Sequence, residues 1–225
     1  MPHRSYLLGA DSARLQGSVD VLEAINLGCV RGSRRLFTGL NFNIEPGDFV
    51  ELRGPNGSGK TSLLRIVCGL ASPAEGAVRW NGKNIRMLRE EYFAEVAYLG
   101  HQNGVKDELT AVENLRMSAA VCGQRLETSD AQDLLARIGL ENQSHLPARS
   151  LSAGQRRRLA LARFLALRAK LWVFDEIMTS LDDAGMRLSQ ELMSDHLQRG
   201  GMAIIATHQD LIVKSSAAKR ILLST

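Results

Sequence analysis

The sequence predicts an α/β fold with a mainly parallel core sheet, an antiparallel β portion and an inserted helical subdomain. Three observations predict it. Phe49–Leu52 is an apolar run that passes directly into a glycine-rich loop and then into a helical pattern. Leu171–Phe174 and Met202–Ala206 are short, unbroken apolar runs of the kind buried on both faces of a parallel sheet. Between them, from about residue 103 to 150, the chain carries helix-start signals and a helical period. Strands alternating with helices require an α/β core.

Taken in order, residues 1–20 mix Gly, Ser, Asp and Arg and read as a flexible N-terminal extension, without the continuous apolar centre of a signal peptide. Val21–Leu27 and Leu40–Ile44 alternate as strands, and Glu45-Pro46-Gly47-Asp48 is a turn before the Phe49–Leu52 strand. Behind the glycine loop, Leu63, Leu64, Ile66, Val67 and Leu70 give a helical face closed by Gly69 and Pro73. Ala77–Trp80 and Ile85 read as a strand pair turning at Asn81-Gly82. In the middle segment, Thr110 to Glu113 and Ser129 to Gln132 are capping boxes that open two helices. The second helix buries Ala131, Leu134, Leu135 and Ile138 and stops at Gly139. Ser152 to Gln155 is a third capping box, opening a helix over Arg156–Leu167.

Composition excludes several classes. Of 225 residues, 44% are hydrophobic and 23% charged, which rules out disordered, collagen-like and coiled-coil chains. The most apolar region, residues 159–174, is interrupted by Arg163, Arg168 and Lys170, so no membrane span is predicted. Cys29, Cys68 and Cys122 are odd in number and far apart, which fits a reducing compartment and no thiolate metal site. The net charge of +4, mostly from arginine, reads as a solvated surface with some affinity for phosphate groups.

Gly54, Pro55, Asn56, Gly57, Ser58, Gly59, Lys60 and Thr61, followed by Ser62, match G-x-x-x-x-G-K-[ST] between a strand and a helix. Glycines let backbone N–H groups turn inward around phosphate oxygens, and the helix start adds its positive dipole end. Lys60 supplies a cation to the β- and γ-phosphates, and Thr61 a hydroxyl for Mg2+. One such loop identifies a nucleotide site but not its use. Further on, the Leu171–Phe174 run ends in Asp175-Glu176, a carboxylate pair where ligands bind in parallel sheets. Asp175 suits Mg2+, and Glu176 can polarise an attacking water. Met202–Ala206 likewise ends in Thr207-His208. Arg156, Arg157 and Arg158 point to different sides of their helix and are expected to be surface or inter-lobe pairs.

The order of phosphate loop, Gln102, Leu151–Gln155, Leu171–Glu176, Ser180-Leu181-Asp182 and His208 resembles the nucleotide-binding subunits of ATP-binding-cassette (ABC) transporters. The resemblance runs from about residue 21 to 225 and implies one ABC ATPase domain with residues 103–150 as its inserted helical subdomain. It further implies that Gln102 senses the γ-phosphate and touches Mg2+, that Glu176 and His208 serve catalysis, and that Asp182 lies at the subunit contact. Ser152, Gly154 and Gln155 would bind ATP held by the phosphate loop of a second copy, in a nucleotide-sandwich dimer. The segments Tyr98–Leu115, Leu151–Leu165 and Gly200–Gln209 resemble most the CcmA family of cytochrome c maturation, or haem exporter, ATPases. That implies a peripheral subunit on the cytoplasmic face of the bacterial inner membrane, docked on a CcmB-like permease with other maturation proteins. Its ATP hydrolysis would support haem delivery or release of the haem chaperone, with no nucleic acid involved.

The chain departs from the ABC pattern at three places. Arg31 stands where an aromatic ring usually stacks on adenine; a guanidinium plane can also lie on a base. Ile177 replaces the proline after the carboxylate pair, and Ala153 replaces a glycine of the signature. The competing readings are an ABC subunit for another substrate such as a lipoprotein or a metal, a soluble ABC ATPase of iron–sulfur assembly, and a degenerate scaffold.

Overall fold

The computed structural model describes residues 20–176, 183–207, 213 and 217–224. Two sheets organise them. In the first, β1 (Leu22–Arg31) pairs with β2 (Arg34–Ile44) and with β4 (Glu75–Trp80), and β5 (Lys83–Asn84) closes the edge. All these pairings are antiparallel, in the order β2-β1-β4-β5. The second sheet contains β3 (Asp48–Arg53), β6 (Val96–Leu99), β7 (Leu171–Asp175), β8 (Met202–Ala206) and β9 (Ala217–Leu222). Its order is β6-β7-β8-β3-β9, every pair parallel.

Alternation along the parallel strands sorts the core into two halves. Leu171 and Val173 of β7, with Met202, Ile204 and Ala206 of β8, face a cluster shared with helix α1 (Lys60–Val67) and the antiparallel sheet. Trp172, Phe174, Ala203 and Ile205 face the opposite way. There they meet helices α4 (Ala111–Val121), α5 (Thr128–Arg137) and α6 (Ala153–Ala166), through Leu115, Leu135 and Leu159 among others. Phe164 of α6 stacks on Phe174 at 4.6 Å between ring centres and meets Trp172 edge-on at 5.3 Å. The helix that starts at Ser152 is therefore seated on the strand that ends at Asp175.

The Thr110 and Ser152 capping boxes both form: each side-chain oxygen accepts from the N3 backbone, and Glu113 and Gln155 bond back to the cap N–H. Helix α5 stops as expected, with Leu140 N–H bonding to Leu135 O and Gly139 N–H to Ala136 O. Three local readings are corrected. Ser129 lies inside α5, because the helix already begins at Thr128 behind Glu127, which makes no side-chain cap bond. Ile85 opens a one-turn helix α2 (Ile85–Leu88), since the Asn84 side chain accepts from Arg86 N–H and turns the chain out of the ladder. Leu70 falls beyond the end of α1 and is exposed, because Gly69 at φ 72° has redirected the chain. Sequence periodicity did not register α3 (Glu90–Phe93), β6, α7 (Asp183–Gln198) or β9.

Helix α7 is anchored by one imidazole. The His196 ring lies on Trp172, with centres 3.9 Å apart and 8° between planes. Its Nε2 sits 3.1 Å from Lys170 O and 3.2 Å from Met202 O, so Nε2 carries the proton and donates to both carbonyls. Burial pushes its pKa down from 6.5 to about 4. The unfolded imidazole therefore binds a proton that the native one refuses. Stability is complete above the unfolded value and declines as the pH falls toward the folded one. A loss of about 2–3 kcal/mol across that window is expected. His196→Phe keeps the stacked ring but removes the titration, so its urea midpoint is expected to vary less with pH than that of the native chain. Equal pH slopes for the two proteins would contradict this account.

Candidate nucleotide-binding site

Strand β3 ends at Arg53, and the chain turns through residues 54–59 into α1. Gly59 is the residue that permits this: it occupies the N-cap at φ 103°, a left-handed conformation that an L side chain resists. A glycine carries no side chain to cap the start of α1, and the backbone N–H groups of a helix start are donors of the kind that hold an anion. The loop borders a cavity of about 500 Å3 whose wall includes Asn56, Gly57, Gly59, Lys60, Thr61 and Ser62.

Lys60 is buried, and its Nζ donates to Gly54 O at 2.8 Å and Pro55 O at 3.3 Å. It also lies 3.6 Å from Glu176 Oε1. The amine is thus held across the mouth of the loop by weak neutral acceptors and one carboxylate, all of which a phosphate can outcompete. Ser58 Oγ is buried without a partner among the described residues, an orphan in the same loop. Both observations fit a polyphosphate seated here.

The carboxylates arrive from β7. Asp175 is its last residue, almost wholly buried, and accepts from Thr61 Oγ1 at 3.2 Å and from Tyr98 Oη at 3.2 Å. A hydroxyl and a carboxylate facing each other are hard oxygen donors of the type Mg2+ selects. Burial first, and then Asp175, push the Tyr98 hydroxyl well above its ordinary pKa, so it stays a donor. Glu176 follows at φ 56°, in the left-handed region, with its N–H bonded to Ala206 O at 3.0 Å. A glutamate there is strained by about 1 kcal/mol or more, a cost seen where function fixes the backbone. Its carboxylate lines the cavity.

Of the other sequence candidates, Arg31 reaches the wall from the end of β1. Its ladder partner Arg34, which sequence reasoning missed, stands beside it. The hairpin that pairs them was the available signal. Gln102 is exposed and is not on this wall; its neighbour His101 is. Ser152, Gly154 and Gln155 are also not on it. They stand at the start of α6, where a Cβ on Gly154 would meet nothing within 4 Å. Arg157, one of three arginines expected to make surface or inter-lobe pairs, is buried; its Nη1 donates to Asn103 Oδ1 at 2.6 Å and to Gly100 O at 3.4 Å. Ile177, Asp182 and His208 lie outside the described residues.

Comparison with known proteins agrees with this geometry. Residues 37–179 match the family model described as ABC transporter. A "Cytochrome c biogenesis ATP-binding export protein CcmA" of Nitrosospira multiformis is 51% identical over 90% of this chain and 98% of its own length. The protein of the same name from Nitrosomonas europaea is 48% identical over 92% of this chain and 97% of its own. Among solved structures, a putative ABC transporter ATP-binding protein from Pyrococcus furiosus superposes with a TM-score of 0.78. It is 24% identical and covers 90% of this chain and 97% of its own. An ATP-binding cassette solved as a dimer after hydrolysis, bound to ADP and phosphate, gives a TM-score of 0.71. That cassette is 25% identical and covers 84% of this chain and 88% of its own. With half of its residues shared with a CcmA protein over nearly the whole length of both, the chain belongs to the ABC transporter family and, within it, to the cytochrome c biogenesis ATP-binding proteins of the CcmA type.

Proposed function

We propose that this chain is the energy-coupling subunit of its complex, binding MgATP at the loop of residues 54–62 and hydrolysing it with Glu176 as general base. That it is an ATPase subunit of a cytochrome c biogenesis ABC system follows from its family. The observation that carries the residue assignments is that Lys60 stands 3.6 Å from Glu176 on the cavity wall, while Thr61 of the same wall donates to the buried Asp175 behind it at 3.2 Å. Lys60 releases the loop carbonyls and takes the β- and γ-phosphates. Thr61 and Asp175 would hold Mg2+, which would supply positive charge to offset that of the phosphates. Glu176 accepts the proton of the attacking water and orients its lone pair toward the terminal phosphorus. Arg31, with Arg34 beside it, offers a flat cationic plane to the base.

Ser152, Gly154 and Gln155 do not border the chain's own cavity, and Gly154 is not required by local packing, since a Cβ there is unopposed. This supports their facing the nucleotide of a second copy in a sandwich dimer. Among the described residues no helix is long and apolar enough to cross a membrane. The reading therefore assigns the membrane-spanning part to a CcmB-like permease, with this subunit peripheral at the cytoplasmic face of the inner membrane. The domain reading carried forward is one ATPase domain over 21–225 with residues 103–150 as a helical lobe. The coupled process is haem delivery or release of the haem-loaded chaperone.

Gly154→Asp tests this. Its Cβ is accommodated, so the unfolding midpoint should be unchanged, whereas a carboxylate facing the partner's phosphates should block the dimer. Expected are a monomer by light scattering with ATP, ATPase activity down by about 100-fold, and loss of covalent haem from c-type cytochromes in cells. ATP-driven dimerisation equal to that of the native chain would overturn the sandwich assignment. Normal c-type cytochromes despite absent ATPase activity would overturn the coupling.

A further inference from the structure

We propose that Tyr98 is a positioning residue for the metal site: its hydroxyl fixes the Asp175 carboxylate so that one oxygen is kept for Mg2+. This rests on the nucleotide-site reading above and deepens it. Strand register is the first observation. β6 and β7 pair in parallel, with Tyr98 opposite Val173. Both side chains enter the half of the core that also holds α1. Asp175, the last residue of β7 and two beyond Val173, faces the same way by alternation. The phenol is long enough to reach the carboxylate diagonally along the sheet, and Thr61 meets it from the start of α1.

The second observation is how the two carboxylate oxygens are shared. Tyr98 Oη donates to Oδ2 at 3.2 Å, and Thr61 Oγ1 donates to Oδ1 at 3.2 Å. Each oxygen of this almost wholly buried carboxylate thus has its own donor. An aspartate turns readily about its last torsion, whose preference is broad and two-fold. A donor on each oxygen holds the carboxylate plane still. The oxygen beside Thr61 is then the one presented to the metal, while the phenol holds the other. The threonine hydroxyl can give its proton to Oδ1 and still offer a lone pair. Groups that orient a metal-binding side chain in this way typically account for about 10- to 100-fold in metal affinity. The third observation is the space kept for the phenol hydroxyl. Gly100 stands beside it: a Cβ there would lie 3.0 Å from Tyr98 Oη and 3.2 Å from Cε1. Position 100 carries no side-chain atom to press the hydroxyl off Asp175.

The experiment measures ATP affinity with Mg2+ and with EDTA in a Glu176→Gln background, so that hydrolysis does not intervene. Displacement of a fluorescent nucleotide gives both Kd values, and the ratio of the EDTA value to the Mg2+ value is the contribution of the metal. Tyr98→Phe keeps the packed ring and removes only the hydroxyl. It is expected to lower the ratio by about tenfold, with the Kd in EDTA unchanged. A general loosening of the site would instead raise both Kd values together. Adding Tyr98→Phe to Asp175→Asn is expected to lower the ratio no further than Asp175→Asn alone, because the hydroxyl acts only through that carboxylate. An unchanged ratio for Tyr98→Phe, equal rises in both Kd values, or a full further fall on top of Asp175→Asn overturns the positioning role and leaves the metal site in place. A ratio near one in the Glu176→Gln protein itself, or an unchanged ratio for Asp175→Asn, overturns the metal site, and this inference with it.

Discussion

Glu176→Gln is expected to lower steady-state ATP turnover by about 10²–10⁴-fold while ATP affinity stays the same or rises. The reasoning starts from the backbone. Glu176 is held at φ 56° with its N–H on Ala206 O, so the side chain projects from a fixed point one residue beyond β7. Glutamine has the same length and shape and keeps that projection, but its amide cannot accept the proton of a water. The substitution also removes a negative charge 3.6 Å from Lys60, in a cavity that must receive an anion. Binding should therefore not suffer, and only the step needing the base is lost. Single-turnover hydrolysis alongside equilibrium binding separates the two effects. Turnover within threefold of the native chain would move the base to another residue.

How much of this was legible follows from where each signal resides. Strand β3, its loop and α1 were readable because glycines, Lys60 and the apolar periodicity encode the turn locally. The Thr110 and Ser152 caps were readable for the same reason. Strand β9 was not, because its Lys219 and Arg220 break the apolar pattern. They pair with the buried Asp48 at 2.6 Å and Glu51 at 3.0 Å on β3, partners remote in sequence. Four-residue β6 is too short for periodicity to register, and α7 turns on a half-buried His196 rather than a wide apolar stripe. The site shows the same limit. The residue types of Asp175 and Glu176 announce themselves at the end of a buried run. Which of Arg156, Arg157 and Arg158 pairs with another element was not legible, because the partners of Arg157, Gly100 and Asn103, are remote in sequence and helical spacing alone cannot show which arginine is desolvated.

Lys60→Ala should weaken ATP binding by about 30- to 1,000-fold, corresponding to roughly 2–4 kcal/mol for removing one partner of a desolvated charge pair. The nucleotide-free posture of Lys60 explains why the loss should fall on binding and not on folding alone. Its ammonium is already buried and satisfied by Gly54 O, Pro55 O and Glu176, so it is preorganised at the mouth of the loop. Phosphate oxygens replace neutral carbonyls around it, an exchange that favours the charged acceptor. Alanine removes the cation and leaves Glu176 facing the incoming phosphates with one positive charge fewer. Gly54 O and Pro55 O also lose a donor, so a modest fall in the nucleotide-free melting temperature is expected as well. The decisive quantity is the additional rise in melting temperature caused by saturating MgATP, which reports binding to the folded state alone. That rise should all but vanish for Lys60→Ala at ATP concentrations that saturate the native chain. An undiminished rise would show that phosphate recognition does not depend on this amine.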